Sequence, residues 1–395
     1  MSATKLGAAV LMLALGGAFG GCGVLRSLAG RNTVDLEGAD VRAMGVDIRK
    51  QEKTICPRER VQMAVFIDAV LSGESQLKKL ETWSGGPETN RNGKLDFGDF
   101  AFHSEQGSFD DSGWFTPERD VLATVDREFS LEAVYRRRPD KFTFKTTYKP
   151  DYRCIDSAGT AAASGASGSP GTAGESGSSG ATGSSDAAGG AGGDGRSGGS
   201  AGSGGQGMSG PSIRAFVTYV KTPFYDKLMA VRLEGGATDW VLVHPEISFA
   251  ILARGGDGGR GGDGGRGGDG GSGGSGNPAG NGGNGAQGGN GGNGGNGGPG
   301  GNIELILDER FPELERAVAL DVAGGSAGAP GHGGPGGSAG RGGSGFGSGS
   351  SGTDGNAGQA GADGAPGAPG PNGEKSVRTG AVAQYFEGLR GITLL

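Results

Sequence analysis

Five carboxylate or amide side chains crowd the segment Glu88–Asp99: Glu88, Asn90, Asn92, Asp96 and Asp99. Gly93 stands where such a loop turns sharply, and Lys94 offers a backbone carbonyl. Hard oxygen donors at this spacing suit calcium, which takes six to eight oxygens in flexible geometry. The competing reading is an ordinary β-turn at Asn92-Gly93. A second chemistry is cationic. Arg136, Arg137, Arg138, Lys141, Lys145 and Lys149, with Arg153, form a local basic cluster. It reads as a solvated strand face that blunts edge pairing, or as a contact for anionic polysaccharide or lipid headgroups. Cys56 and Cys154 flank one segment of ordinary composition, and in an exported chain such a pair forms a disulfide; two separate buried thiols are the alternative. Their spacing suits no zinc motif. His103, His244 and His332 lie far apart, and no Ser/His/Asp or Cys/His set stands out, so no catalytic activity is expected.

The N-terminus determines where these groups would work. Lys5 is the one charge in residues 1–21, and an apolar run, Leu6 to Phe19, follows it. The run is too short to span a bilayer and right for a signal peptide. It ends in Phe19-Gly20-Gly21-Cys22, which resembles a bacterial lipobox, with Phe19 where an aliphatic residue is usual. The resemblance implies cleavage after residue 21, lipidation of Cys22 and a membrane anchor through that lipid. Gly23 in place of Asp implies the outer membrane or cell surface. The net charge of −7 gives no general footprint for nucleic acid.

The ordinary segments read as strands. Val61, Met63, Val65 and Ile67 alternate within 54–71, the period of a half-buried strand. Further candidates are 99–103, 113–115, 121–125 and 141–148, then 213–220, 228–233, 240–244, 247–253, 303–308, 317–322 and 377–385, with one helical turn at 312–316. Turn signals such as Asn92-Gly93 and Arg138-Pro139-Asp140 separate them. Short strands with regular turns predict an all-β, sandwich-like region.

Glycine, 92 of 395 residues, concentrates in three tracts: 159–210, 255–301 and 325–373. Each keeps glycine at every third residue. A flexible linker needs glycine but no phase. A period of three matches polyproline II and places the glycines on one edge. The middle tract is Gly-Gly-X, with two glycine edges, so it is expected between the other two. Its X residues form rows: Asp257, Arg260, Asp263, Arg266 and Asp269, then Asn281, Asn284, Gln287, Asn290, Asn293 and Asn296. Such rows suit solubility, glycan binding or ordered water. The phase breaks at Asp186, Ala279 and Phe346, near each midpoint, so each tract is expected to fold as a hairpin. The expected architecture is an all-β sandwich-like region plus a glycine-rich polyproline II bundle built from three inserted hairpins.

The expected segments are a signal peptide (1–21), a tether (22–53), a β-rich domain (54–158), a Gly-X-Y tract (159–210), strands (211–254), a Gly-Gly-X tract (255–301), a connector (302–324), a Gly-X-Y tract (325–373) and a terminal strand (374–395). The chain resembles the glycine-rich, collagen-like lipoproteins of predatory and gliding soil bacteria. Its Gly-Gly-X repeats are similar to the polyproline II bundles of glycine-rich antifreeze and phage adhesin proteins. Glu88–Asp99 resembles an EF-hand or dockerin loop, with Glu88 and Asp99 exchanged from the usual Asp and Glu, and with strand-like sequence where a helix belongs. These resemblances imply a lipid-anchored structural or adhesive surface protein. The alternative is a carbohydrate- or calcium-dependent binding module in the β domain. Calcium is the one cofactor considered and anionic polysaccharide the one soluble partner; oligomeric state is left open.

Overall fold

The computed structural model describes residues 33–49 and 53–395. The signal segment and Cys22 lie outside the described residues. Strands take 31% of the chain and helix 5%, and the sheets curl as in an all-β sandwich-like fold. Among the described residues no helix is long and apolar enough to cross a membrane. The described residues form two compact units, one from 33–49, 53–55, 59–118 and 128–149, the other from 56–58, 119–127 and 150–395.

The first unit holds strands β1 (Thr33–Val34), β2 (Asp40–Ile48), β3 (Thr54–Ile55), β4 (Val61–Val70), β5 (Leu77–Glu81), β6 (Lys94–Leu95), β7 (Phe100–His103), β8 (Gly107–Phe109), β9 (Trp114–Pro117), β10 (Phe129–Tyr135) and β11 (Thr143–Pro150). One sheet runs β1-β6-β5-β4-β9-β8 with β2 also on β4; the other runs β3-β11-β10-β7. The alternation in β4 buries Val61, Met63, Val65 and Ile67 as expected. They share one core with Phe129, Leu131, Ala133 and Tyr135 of β10. Removing alternate apolar side chains of both sheets from water is what holds the two layers together.

Several expectations need correcting here. Residues 33–48, assigned to a tether, form β1 and β2, because Val41 and Ile48 are buried in the core. Strands β5, β8 and β10 lie outside the segments expected to be strands, although Phe129–Tyr135 alternates buried and half-buried without a break. Residues 121–125 are not a strand: Val121–Ala123 is a 3-10 turn and a further turn follows it. Asp120 caps the 3-10 turn through the Leu122 N–H at 3.0 Å, and Val121 and Val125, four apart, are both buried. The 54–158 segment is not one domain, since 56–58, 119–127 and 150–158 belong to the second unit.

That second unit holds β12 (Ser157–Ala161), β13 (Ile213–Lys221), β14 (Leu228–Gly235), β15 (Ala237–Val243), β16 (Phe249–Arg254), β17 (Ile303–Asp308), β18 (Val318–Asp321), β19 (Lys375–Gly380) and β20 (Thr393–Leu394). A one-turn helix spans Leu314–Ala317, close to the expected turn. The strand expected over 377–385 stops at Gly380, and Ala383–Tyr385 is a 3-10 turn whose Tyr385 stacks on Phe216 at 3.9 Å. Cys56 and Cys154 form the expected disulfide, and it lies inside this unit. Arg58 reinforces the same attachment, donating to the Asp239 carboxylate and the Trp240 carbonyl at 3.0 Å.

The topology of the two sheets arranges everything that follows. Parallel strands β12, β16 and β18 make one sheet in the order β12-β16-β18. Strands β13, β17 and β19, also parallel, lie in the other sheet with β17 in the middle. Each glycine tract leaves from the first sheet and returns into the second. The middle tract therefore starts and ends on central strands. The two sheets share a core that includes Phe249, Ile251, Ala215, Val217, Leu305 and Leu307.

Inside the tracts there is neither helix nor strand, yet backbone hydrogen bonds recur every third residue along them. Gly165, Gly168 and Gly171 donate to the carbonyls of Asp257, Arg260 and Asp263 at 2.7–2.9 Å. Gly258, Gly261 and Gly264 donate to Ser326, Ala329 and His332 at 2.8–2.9 Å. The middle tract thus bonds to both others, as its doubled glycine predicts. Each tract also bonds to itself, as Gly190 to Ala181 and Gly193 to Ser178, with the numbers running oppositely. Reversals fall at Ser184–Ala187, at Asn277-Pro278 and at Phe346-Gly347, beside the three phase breaks.

Close approach is what demands glycine. A Cβ on Gly262 would stand 2.1 Å from the Ser169 carbonyl oxygen, and one on Gly265 1.9 Å from that of Thr172. Ala201 and Ala286 occupy two amide-donating positions, and the ladder continues through them. The double variant Gly262→Ala/Gly265→Ala, on adjacent central steps, should lose about 1–3 kcal/mol per site. Ser200→Ala, on an exposed position, should stay within about 0.5 kcal/mol. Thermal and denaturant melts check both. Cys56→Ser with Cys154→Ser should cost about 2–5 kcal/mol, because the pair closes a long loop.

Candidate functional site

The proposed calcium donors are placed on three different local elements. Pro87–Asn92 is a short helix, not an open loop, with proline at its start and Glu88 in its first turn. The buried Glu81 carboxylate accepts the N–H groups of Glu88 and Thr89 at 2.9 and 3.1 Å, capping that helix. Asn92 donates to the Lys79 carbonyl at 2.9 Å and to Glu88 at 3.3 Å. Asn90 lies within the helix, and Lys94 begins β6. Asp96 accepts the Gly98 N–H at 2.9 Å and caps the 3-10 turn Phe97–Asp99. Among the described residues no group of three or more His, Cys, Asp or Glu side chains converges as a metal-holding cluster.

Asp96 and Asp99 instead line a cleft of about 290 Å³ with Asp35, Glu37 and Arg137. Burial pushes the Asp99 carboxyl up; Arg137 opposes this, and Asp96 and Asp35 add to it. This cleft takes Arg137 out of the basic cluster, as it lies 3.7 Å from Asp35 and 4.0 Å from Asp99. Arg136 donates to the Phe100 carbonyl at 2.9 Å, and Arg138 lies over the Phe142 ring. Lys141, Lys145 and Lys149 are exposed on or beside β11, with Lys145 opposite Glu132 of β10. The run of cations is thus divided among an acidic cleft, an aromatic ring and a sheet face. A smaller cleft of about 190 Å³ is lined by Phe97, Phe102 and Phe109, with Asp111 and Arg136 among its polar groups.

The densest array of repeated polar groups lies in the glycine tracts. In the first half of the middle tract, Asp257, Arg260, Asp263 and Arg266 are exposed and Asp269 half-buried, while most glycines are buried. Asp257, Asp263 and Asp269 accept the backbone N–H of Ser326, His332 and Ser338 at 2.6–2.9 Å. Arg260 and Arg266 pair with Asp263 and Asp269 at 2.9 and 2.8 Å. In the second half, Asn281, Asn284, Asn290, Asn293 and Asn296 accept through Oδ1 from Thr353, Asn356, Ala362, Ala365 and Ala368 at 2.8–3.0 Å. Asp194 does the same for Asn284 N–H, and Asp363 for Gly333.

These short side chains satisfy amides that the main-chain ladder leaves over. The sequence reading placed the two rows on an exposed edge and missed this bond. The available signal was chain length: Asn and Asp recur every third residue, and both set an acceptor oxygen two bonds from Cβ. Such local acceptors replace water at donors that would otherwise be left unpaired.

No family model, curated protein or solved structure matches the chain.

A pH dependence follows from the aspartates. The Asp263 and Asp269 pKa values lie below the ordinary carboxylate value, first because the His332 and Ser338 N–H groups favour the charged form. Their contribution is therefore complete above the unfolded carboxylate range and lost as pH falls through the depressed native values. The melting temperature should drop between about pH 5 and pH 2. Asp263→Asn/Asp269→Asn keeps an acceptor oxygen but no titrating group, and should flatten that drop relative to the unmodified protein.

Proposed function

We propose that this protein is a lipid-anchored, non-enzymatic structural or adhesive component of the bacterial cell surface. Its six glycine-rich limbs are polyproline II helices packed as one bundle, continuing the order of the underlying β-sheets. The observation that carries this reading is the ladder of inter-limb amides at every third residue, combined with carbonyl oxygens that fill the Cβ positions of the glycines. Polyproline II has three residues per turn and no internal hydrogen bonds, so its amides are free to bond outward. A lone glycine tract would not recover its conformational entropy; six limbs bonded to one another and aligned by two sheets offset it together.

Such a bundle suits a stiff spacer or display element. Limbs of this length would reach about 65–70 Å at the polyproline II rise of about 3.1 Å per residue. Attachment through lipid at Cys22 fits a chain with no long apolar helix among its described residues. The second reading, a carbohydrate- or calcium-dependent module in the first unit, draws on the cleft where Phe97, Phe102 and Phe109 stand beside Asp110, Asp111 and Arg136, aromatic faces with polar groups at hand.

Far-UV dichroism and solution scattering of the soluble ectodomain test the leading reading. The polyproline II signal should vanish in one cooperative transition on heating, and scattering should show the tracts folded, without an expanded-coil contribution. A gradual, non-cooperative change with the dimensions of expanded coil would overturn it. Globomycin-sensitive processing and a mass shift lost in Cys22→Ser test the anchor.

A further inference from the structure

We propose that the asparagine row of the middle tract is a docking surface for an extended, uncharged, N-acetylated polysaccharide. The proposal rests on the bundle reading above. Each of Asn281, Asn284, Asn290, Asn293 and Asn296 has its Oδ1 engaged by a backbone N–H of the third tract. That bond fixes the amide orientation, because a donor N–H must face an oxygen. The Nδ2 groups are left as donors, and no partner for them is found among the described residues. All five side chains are exposed.

Orientation, spacing and charge each select the occupant. Five amides locked in one sense present parallel donors with little rotamer entropy still to lose on binding. Three residues of polyproline II advance about 9.3 Å, so the donors recur at that interval over 281–284 and 290–296, with Gln287 between the two runs. An ordinary globular surface has no such translational repeat, whereas a linear glycan does, and a two-sugar step of an extended β-linked chain is of comparable length. Donors call for acceptors, which acetamido carbonyls supply. This row carries no ionised side chain, unlike the Asp257–Asp269 row, whose carboxylates and guanidinium groups pair with each other. A polyanion would find no counter-charge on the asparagine row.

The substitution that separates binding from folding is Asn→Asp. Aspartate keeps the oxygen that accepts the neighbouring N–H but has no Nδ2 donor. The whole ectodomain and its Asn290→Asp/Asn293→Asp/Asn296→Asp variant are incubated with insoluble chitin, with cellulose as the comparator lacking acetamido groups. Asp257→Asn/Asp263→Asn/Asp269→Asn serves as the control on the other row. The unmodified protein and the control should be retained on chitin, in preference to cellulose. The asparagine triple variant should be retained roughly tenfold less or weaker, with an unchanged dichroism melt. Equal retention of the variant, no retention of the unmodified protein, or equal binding to cellulose overturns the proposal. Absence of a cooperative dichroism melt in the unmodified protein would instead bring down the bundle reading itself.

Discussion

Most of the second unit depends on one contact: a backbone N–H donating to a carbonyl of the adjacent limb, repeated every three residues. That contact requires two backbones to come closer than any side chain permits. Carbonyl oxygens stand about 2 Å from where many of the glycine Cβ atoms would be. Glycine therefore acts here as a surface, and its usual entropic cost is met by hydrogen bonds distributed along the whole tract. No single bond is strong, so the arrangement succeeds or fails as a set.

The contact also explains why the tracts differ in composition. A limb surrounded by neighbours needs two glycine edges, and both halves of the middle tract have them. Gly258 donates to the third tract, at Ser326, while Gly259 donates to the first, at Gly205. The outermost limbs carry non-glycine residues at both remaining positions, as in Gly352-Thr-Asp-Gly355. Those side chains close the lateral edges against further limbs, much as charged or bulky residues protect the edge of a sheet. The sheets below supply the order: β16 and β17, which flank the middle tract, are the strands with a tract-bearing neighbour on either side.

Polar side chains have a double use in this setting. Along the middle tract, Asp257, Asp263 and Asp269 and the asparagine row cap leftover amides while staying at least partly open to solvent. They tie the second tract to the third without entering the glycine interior. The first unit follows more familiar rules. There, burial of alternate residues from β4 and β10 makes the core, and the Glu88–Asp99 carboxylates are largely occupied with caps and with Arg137.

The sequence by itself determined the period of three, the doubled glycine of the middle tract, the breaks near Asp186, Ala279 and Phe346, and the strand period at Val61–Ile67. These are legible because they are local: a repeat, a phase shift and an alternation each depend only on neighbours along the chain. It also singled out Cys56 and Cys154 as the expected pair, which the structure joins. Tertiary structure decided what local pattern cannot encode. It brought residues 33–48 into a sheet and gave 56–58, 119–127 and 150–158 to the second unit. It turned Pro87–Asn92 into a helix, because Glu81, on a different strand, accepts its first amides. It spread the Arg136–Lys149 cations among unrelated partners. It also gave the asparagine row its orientation, since the N–H groups that fix those amides come from residues some seventy positions away.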